Sequence, residues 1–202
     1  MFEASRPPVA PSLTTPPRAH LSRWAARAVL LLACAASVAT SEALSPLVTS
    51  EVFAGEPVTL TNQAPNFQRD LVIRVTASKS HARTVEPTAL TKFTLRWLPE
   101  DPDETARPRF SFSLSTGNEV AGGRMQDTAP LAGEPITREH LTRLETTCKL
   151  ESPCEYTARV RFEMQAEGPK GSLQIDWTVV AGARVRGMSA VPEGFSVTVS
   201  AP

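Results

Sequence analysis

From residue 45 onward, apolar and polar side chains alternate along much of the chain. Over 70–77, Leu71, Ile73 and Val75 share one face. Over 92–98, Phe93, Leu95 and Trp97 point one way while Lys92, Thr94 and Arg96 point the other. Phe110, Phe112 and Leu114 alternate with serines over 109–114. The longest run, 155–164, sets Tyr156, Ala158, Val160, Phe162 and Met164 against Glu, Thr and Arg. Leu173, Ile175, Trp177 and Val179 repeat the pattern over 172–180, and Phe195, Val197 and Val199 over 194–200. A period of two marks a strand with one buried and one wet face. Six such strands, with a weaker seventh at 57–61, predict a mainly β protein. Half-buried antiparallel strands hide their apolar faces most simply as two stacked sheets.

Turn residues punctuate the strands at Gly117-Asn118, Gly122-Gly123, 168–171 (GPKG) and 192–194 (PEG). The GPKG segment predicts a hairpin between two consecutive long strands. Between 134 and 147 the period changes. Ile136, His140, Leu141 and Leu144 fall at helical spacing behind Thr137, a candidate N-cap, which predicts one short helix near 137–146 with a further strand as the alternative. The hexapeptide AGEPVT at 54–59 recurs as AGEPIT at 132–137, and strands carrying Trp97 and Trp177 follow at similar distances. Either a tandem duplication giving two small sandwich halves, or chance reuse of a Gly-Glu-Pro turn, accounts for this. The stretch AGEPVTLT resembles the early strands of immunoglobulin-like domains, which implies an antiparallel sandwich of that broad architecture. The Cys–Trp–Cys arrangement of antibody-type domains is absent, because Trp97 precedes both body cysteines.

The first 43 residues have another character. Residues 1–22 hold five of the 18 prolines and no sustained periodicity, so a disordered leader is expected. Arg23 and Arg27 then flank the start of an apolar run at 28–39, followed by small residues. A positive flank, a twelve-residue apolar segment and a small-residue exit is the layout of a secretory signal. The run is shorter than the roughly 20 residues of a comfortable membrane span. Cleavage after Ala39 or Ala43 fits the pattern. Leu31-Leu32-Ala33-Cys34 also resembles a bacterial lipobox, which makes Cys34 a lipidation candidate. The expected organisation is therefore leader and signal over 1–43 and a single β-sandwich domain over 44–202, exported to the periplasm or the outside of the cell.

Export changes the reading of the three cysteines. Cys34 is removed or acylated with the leader, and Cys148 and Cys154 remain as a pair. Two thiols fall short of the four ligands of a structural zinc site, and five intervening residues do not make a C-x-x-C redox motif. A structural disulfide between Cys148 and Cys154 is expected.

Charge is balanced over the whole chain, with 21 basic and 21 acidic residues. A near-neutral body argues against nucleic-acid binding, which depends on many cations displacing phosphate counterions. At this length the body buries roughly 70% of its unfolded surface, enough for a core without a metal. No G-x-S-x-G, P-loop, G-x-G-x-x-G, H-E-x-x-H or EF-hand motif occurs, and no catalytic residue or cofactor is assigned. His81 lies in a polar loop segment and His140 in the expected helix. Two weak candidates remain. Glu100, Asp101, Asp103 and Glu104 cluster in PEDPDE, as calcium-binding loops do. The repeated ARVR places Arg159 with Arg161, and Arg184 with Arg186, each pair on one strand face. If those strands were neighbours, the four guanidinium groups would form a basic patch for a polysaccharide or lipid headgroup.

These observations favour an exported, non-catalytic binding or structural module with an unidentified envelope or extracellular partner. Two alternatives stand beside it. One is an enzyme or accessory domain acting on extracellular polymers, which requires a facing pair of carboxylates. The other is the same body tethered to a membrane through its leader or through a lipid on Cys34.

Overall fold

In a computed structural model, residues 24–33, 43–117, 119–144 and 148–202 are described, with the backbone alone for 119–122. Residues 24–33 form a helix whose apolar side chains, among them Trp24 and Leu30 to Leu32, are about two-thirds exposed. It belongs to a unit, 1–42, separate from the body at 43–202.

The described residues of the body form twelve strands: β1 (Val48–Thr49), β2 (Phe53–Ala54), β3 (Val58–Thr61), β4 (Asn66–Thr76), β5 (Thr84–Pro99), β6 (Arg109–Thr116), β7 (Glu119–Thr128), β8 (Pro135–Arg143), β9 (Cys148–Lys149), β10 (Cys154–Met164), β11 (Gly171–Val185) and β12 (Ser196–Ser200). All seven strands expected from the sequence are present. They form two antiparallel sheets. The first centres on the β11–β5 pair, with β1, β2 and β3 along the outer edge of β11 and with β8 and β9 along β5. The second runs β12-β4-β10-β6-β7. The side chains assigned inward are the core. Leu71, Ile73, Val75, Phe93, Leu95, Trp97, Phe112, Leu114, Val160, Phe162 and Leu173 are completely buried. At the centre, Phe93, Phe112 and Phe162 pack with ring centroids 5.0–5.4 Å apart, and Phe162 meets Trp177 edge-on at 6.2 Å.

Three local expectations are corrected. Among the described residues of the expected helix, 137–144, there is none: β8 occupies 135–143 and pairs with β5, Ile136 opposite Leu95 and His140 opposite Thr91. The apolar count misled because Leu141 points outward and is 67% exposed, while polar Thr142 is buried. The open edge of β5 supplies a backbone ladder that outweighs a weak local helical period. The GPKG segment is no hairpin either. It carries the chain from β10 in one sheet to β11 in the other. Gly122-Gly123 is not a turn but a bulge within β7, where the register against β6 shifts between Ser113 and Leu114.

The AGEP repeat has a structural counterpart. Val58, Ile175, Leu95 and Ile136 form one inward-facing row across β3-β11-β5-β8, with Val58 opposite Ile175, Ile175 opposite Leu95, and Leu95 opposite Ile136. A pseudo-two-fold axis through the Leu95–Ile175 pair exchanges β3 with β8 and β5 with β11. The same exchange maps β12-β4-β10-β6 onto itself. The backbone repeats as well: Gly55 N–H donates to the Trp177 carbonyl (3.0 Å), and Gly133 N–H donates to the Trp97 carbonyl (2.9 Å). The side chains have diverged. Trp177 Nε1 donates to the Glu56 carbonyl (3.0 Å), whereas buried Trp97 Nε1 has no partner among the described residues. The two halves are therefore not two small sandwiches. Each contributes two of these strands to each sheet, so neither half encloses a core of its own.

Candidate functional site

The disulfide is present. Cys148 in β9 and Cys154 at the start of β10 are bonded, with Cα atoms 5.9 Å apart. Because β9 pairs with β5 and β10 lies in the other sheet, the bond staples the two sheets at one corner. Buried Leu150 anchors the enclosed loop, its N–H donating to the Arg83 carbonyl (3.1 Å) while its own carbonyl accepts from His81 N–H (2.9 Å). His81 thus lies beside the staple. His140 faces inward from β8, edge-on to Phe112 at 5.4 Å, its Nε2 buried without a partner among the described residues. The structure does not bring these histidines into one constellation.

The four arginines do not converge. Arg159 and Arg161 lie on β10, whereas Arg184 on β11 and Arg186 just beyond it belong to the opposite sheet. The patch required these strands to be neighbours, and the crossing between sheets separates them. Their charges are also largely met at home. Arg159 donates to both oxygens of Asp70 (2.6 and 3.0 Å), and that contact holds the Asp70 carboxyl below its ordinary pKa and raises that of Arg159. Arg161 reaches Gln68 (3.3 Å) and Glu163 (3.6 Å), and Arg186 pairs with Glu86. Arg74–Glu155 (2.7 Å) and Arg124–Glu163 continue the network of cross-strand pairs on the outer face of the five-stranded sheet.

In the PEDPDE segment the acidic groups serve their own loop. Asp101 Oδ1 accepts from Asp103 N–H (3.0 Å) and Glu104 Oε1 from Ala106 N–H (2.7 Å). Glu100 is tied by its backbone to the Lys170 carbonyl (2.9 Å), which brings a lysine into the same shallow depression. Among the described residues, no group of three or more His, Cys, Asp or Glu is disposed to hold a metal ion. Cys34 lies outside the described residues, and no described helix is long and apolar enough to cross a membrane.

Two larger depressions open on the body. One, of about 590 Å³, lies at the end of the five-stranded sheet between Asn66, Arg109, Arg124, Gln126 and Glu163, over buried Phe110 and Met164. Its single carboxylate, Glu163, is held by Arg124, by Arg161 and by the Ser111 hydroxyl (3.3 Å). The facing carboxylate that glycoside hydrolysis would require does not line it.

The other, of about 520 Å³, is a groove between β1–β2 on one sheet and β12 on the other. Its walls are Val48, Val52 and Phe53 against Phe195, Val197 and Val199, with Val52 65% exposed at the rim. Among the described residues no strand pairs with the outer edge of β12, which is the last strand of its sheet. The pseudo-two-fold axis carries this place to the outer edge of β6, and there β7 is paired. On this side the outer edge of β12 is unpaired among the described residues, and β1 of the other sheet approaches it across the groove. Sequence reasoning missed it. The available signal was 196–200, SVTVS, a strand without charge, proline or glycine, the devices that usually blunt an exposed edge.

No family model and no curated protein matches the chain. Among solved structures, a chain of the T13 IBDV viral particle is similar at 13% identity and a TM-score of 0.18. The alignment covers 78% of this chain and 37% of that one. A likeness of that size carries no argument about function.

Proposed function

We propose that the chain is an exported β-sandwich module that works by presenting its surface, chiefly an open strand edge, to a partner at the cell envelope or outside the cell, without catalysis. The observation that supports this reading is a contrast between two surfaces. The polar face of the five-stranded sheet ties many of its charges into cross-strand pairs. The β12 edge and its groove are uncharged apart from Glu51, partly apolar and unpaired. Unpaired backbone donors and acceptors on an edge are a ready template for an added strand. The Cys148–Cys154 bond is compatible with an oxidising, exported location. A form acylated at Cys34 would be the same module on a tether.

Photo-crosslinking in intact cells tests the reading. A photoreactive residue replaces either Val52, at the groove rim, or Thr157, exposed in the middle of the five-stranded sheet. The expected result is a protein adduct from position 52 and none from position 157. Adducts from 157 alone, or from neither, overturn it.

A further inference from the structure

The geometry points to a second copy of this chain as the occupant of the β12 edge: two molecules pair β12 to β12 in antiparallel fashion about a two-fold axis at Thr198. Three observations carry this. The first is the internal template. Next to β6 the equivalent position holds β7, and β7 lies alongside β8 of the other sheet, joined to it by Arg138–Asp127 (3.0 Å). A strand added at a sheet edge is therefore compatible with a close edge of the opposite sheet, the position that β1, which already approaches β12, would hold for the partner's β12.

The second is self-complementarity. The strand SVTVS reads the same in both directions. An antiparallel pair centred on Thr198 sets each Val197 against a Val199, each Ser196 against a Ser200, and Thr198 against itself. Two-fold interfaces require a patch to match its own image, and a palindromic strand meets that condition at every position. Val–Val and Thr–Thr are favourable cross-strand pairs.

The third is charge. No residue of β12 is ionisable, so nothing repels an identical edge. Pairing would extend each five-stranded sheet into a continuous ten-stranded one and cover the exposed rim at Val52.

The inference rests on the strand-edge reading above, and it fails separately. A protein that is monomeric in solution but still crosslinks at position 52 in cells overturns the self-pairing and leaves the edge reading standing.

Sedimentation of the exported protein at about 100 µM, where an interface of micromolar strength is populated, provides the test. Thr198 is exposed, so Thr198→Glu and Thr198→Lys are both expected to fold, the lysine with a small loss from Arg74 opposite it on β4, which melting temperature checks. The wild type is expected to form a reversible dimer. Each variant alone sets like charges directly opposite each other and should dissociate at least tenfold more readily. An equimolar mixture of the two should restore dimerisation as a Glu–Lys heterodimer. A wild type that remains monomeric, a dimer indifferent to both charges, or a mixture that fails to reassociate overturns the proposal. Association through the leader would not respond to charge at position 198.

Discussion

Substituting Gly55 tests how closely the first AGEP turn is fitted to the core. A Cβ built on Gly55 falls 2.0 Å from the indole of Trp177, far inside van der Waals contact. The ring has packed neighbours behind it. It is 3% exposed, its Nε1 is held by the Glu56 carbonyl, and Phe53, Phe67 and Phe162 pack around it at 6.1–6.3 Å. In Gly55→Ala the turn or the ring must move. Overpacking of a tight core costs about 1–3 kcal/mol. Losing the Gly55–Trp177 and Trp177–Glu56 hydrogen bonds adds about 1 kcal/mol each. A total of about 3–5 kcal/mol lowers the melting temperature by about 6–20 °C for a domain of this size. Gly133, the pseudo-symmetric glycine, provides the contrast. Its φ is +74°, with open space where a Cβ would go. There alanine suffers only the left-handed backbone, about 1–2 kcal/mol. Thermal unfolding followed by circular dichroism ranks the two, with Gly55→Ala expected below Gly133→Ala. A double-mutant cycle locates the cause: in a Trp177→Leu background, Gly55→Ala should cost under about 1 kcal/mol. If Gly55→Ala melts within a degree of wild type, or costs the same with the ring removed, the close approach is not what fixes this turn.

Two further outcomes follow from the polar and covalent contacts. Cys148→Ser opens a loop of sequence separation 6, whose closure is worth about 2 kcal/mol by chain entropy; the melting temperature should fall by about 4–8 °C, and dithiothreitol should produce the same drop in the wild type but none in the variant. Asp70 is held below its ordinary pKa by Arg159, so its contribution is present above the unfolded carboxylate pKa and is lost as pH falls through the lowered folded value. Asp70→Asn should therefore melt slightly below wild type at neutral pH, and the gap should close in acid; a gap that widens in acid would contradict the pairing.

What the sequence disclosed, and what it concealed, follows from what a period of two can encode. Alternation states which side chains of a strand are buried, and every inward residue named for the long strands lies in the core. It does not state which sheet buries them. The strands on either side of GPKG are equally periodic, and nothing local distinguishes a hairpin from a crossing between sheets. The basic patch failed first for that reason, and local acidic partners such as Asp70 and Glu86 neutralise most of its arginines besides. Alternation also weakens at edges: β8 sends Arg138, His140 and Thr142 toward the interior and Leu141 toward solvent, so its apolar positions mimic a helix. The AGEP repeat was visible as a string, but its interlacing is a matter of pairing between distant strands, such as Ile175 with Leu95. The cysteine pair was legible because its short spacing and the export expected from the leader pattern leave a disulfide as the simplest chemistry. Its role in joining the two sheets was not, because β9 is only two residues long. The open edge was legible in principle from the uncharged SVTVS, yet its meaning depended on finding β7 in the equivalent place.

The central claim is that this body works outside the cytoplasm as a stapled sandwich, and one mass spectrum tests it most directly. The protein is recovered from its native host, with thiols alkylated before lysis, and mapped without reduction. The account predicts a chain that lacks the leader, beginning at Thr40 or Leu44 or at an acylated Cys34, and containing a Cys148–Cys154 cross-linked peptide. An intact chain starting at Met1 with both Cys148 and Cys154 alkylated would contradict it.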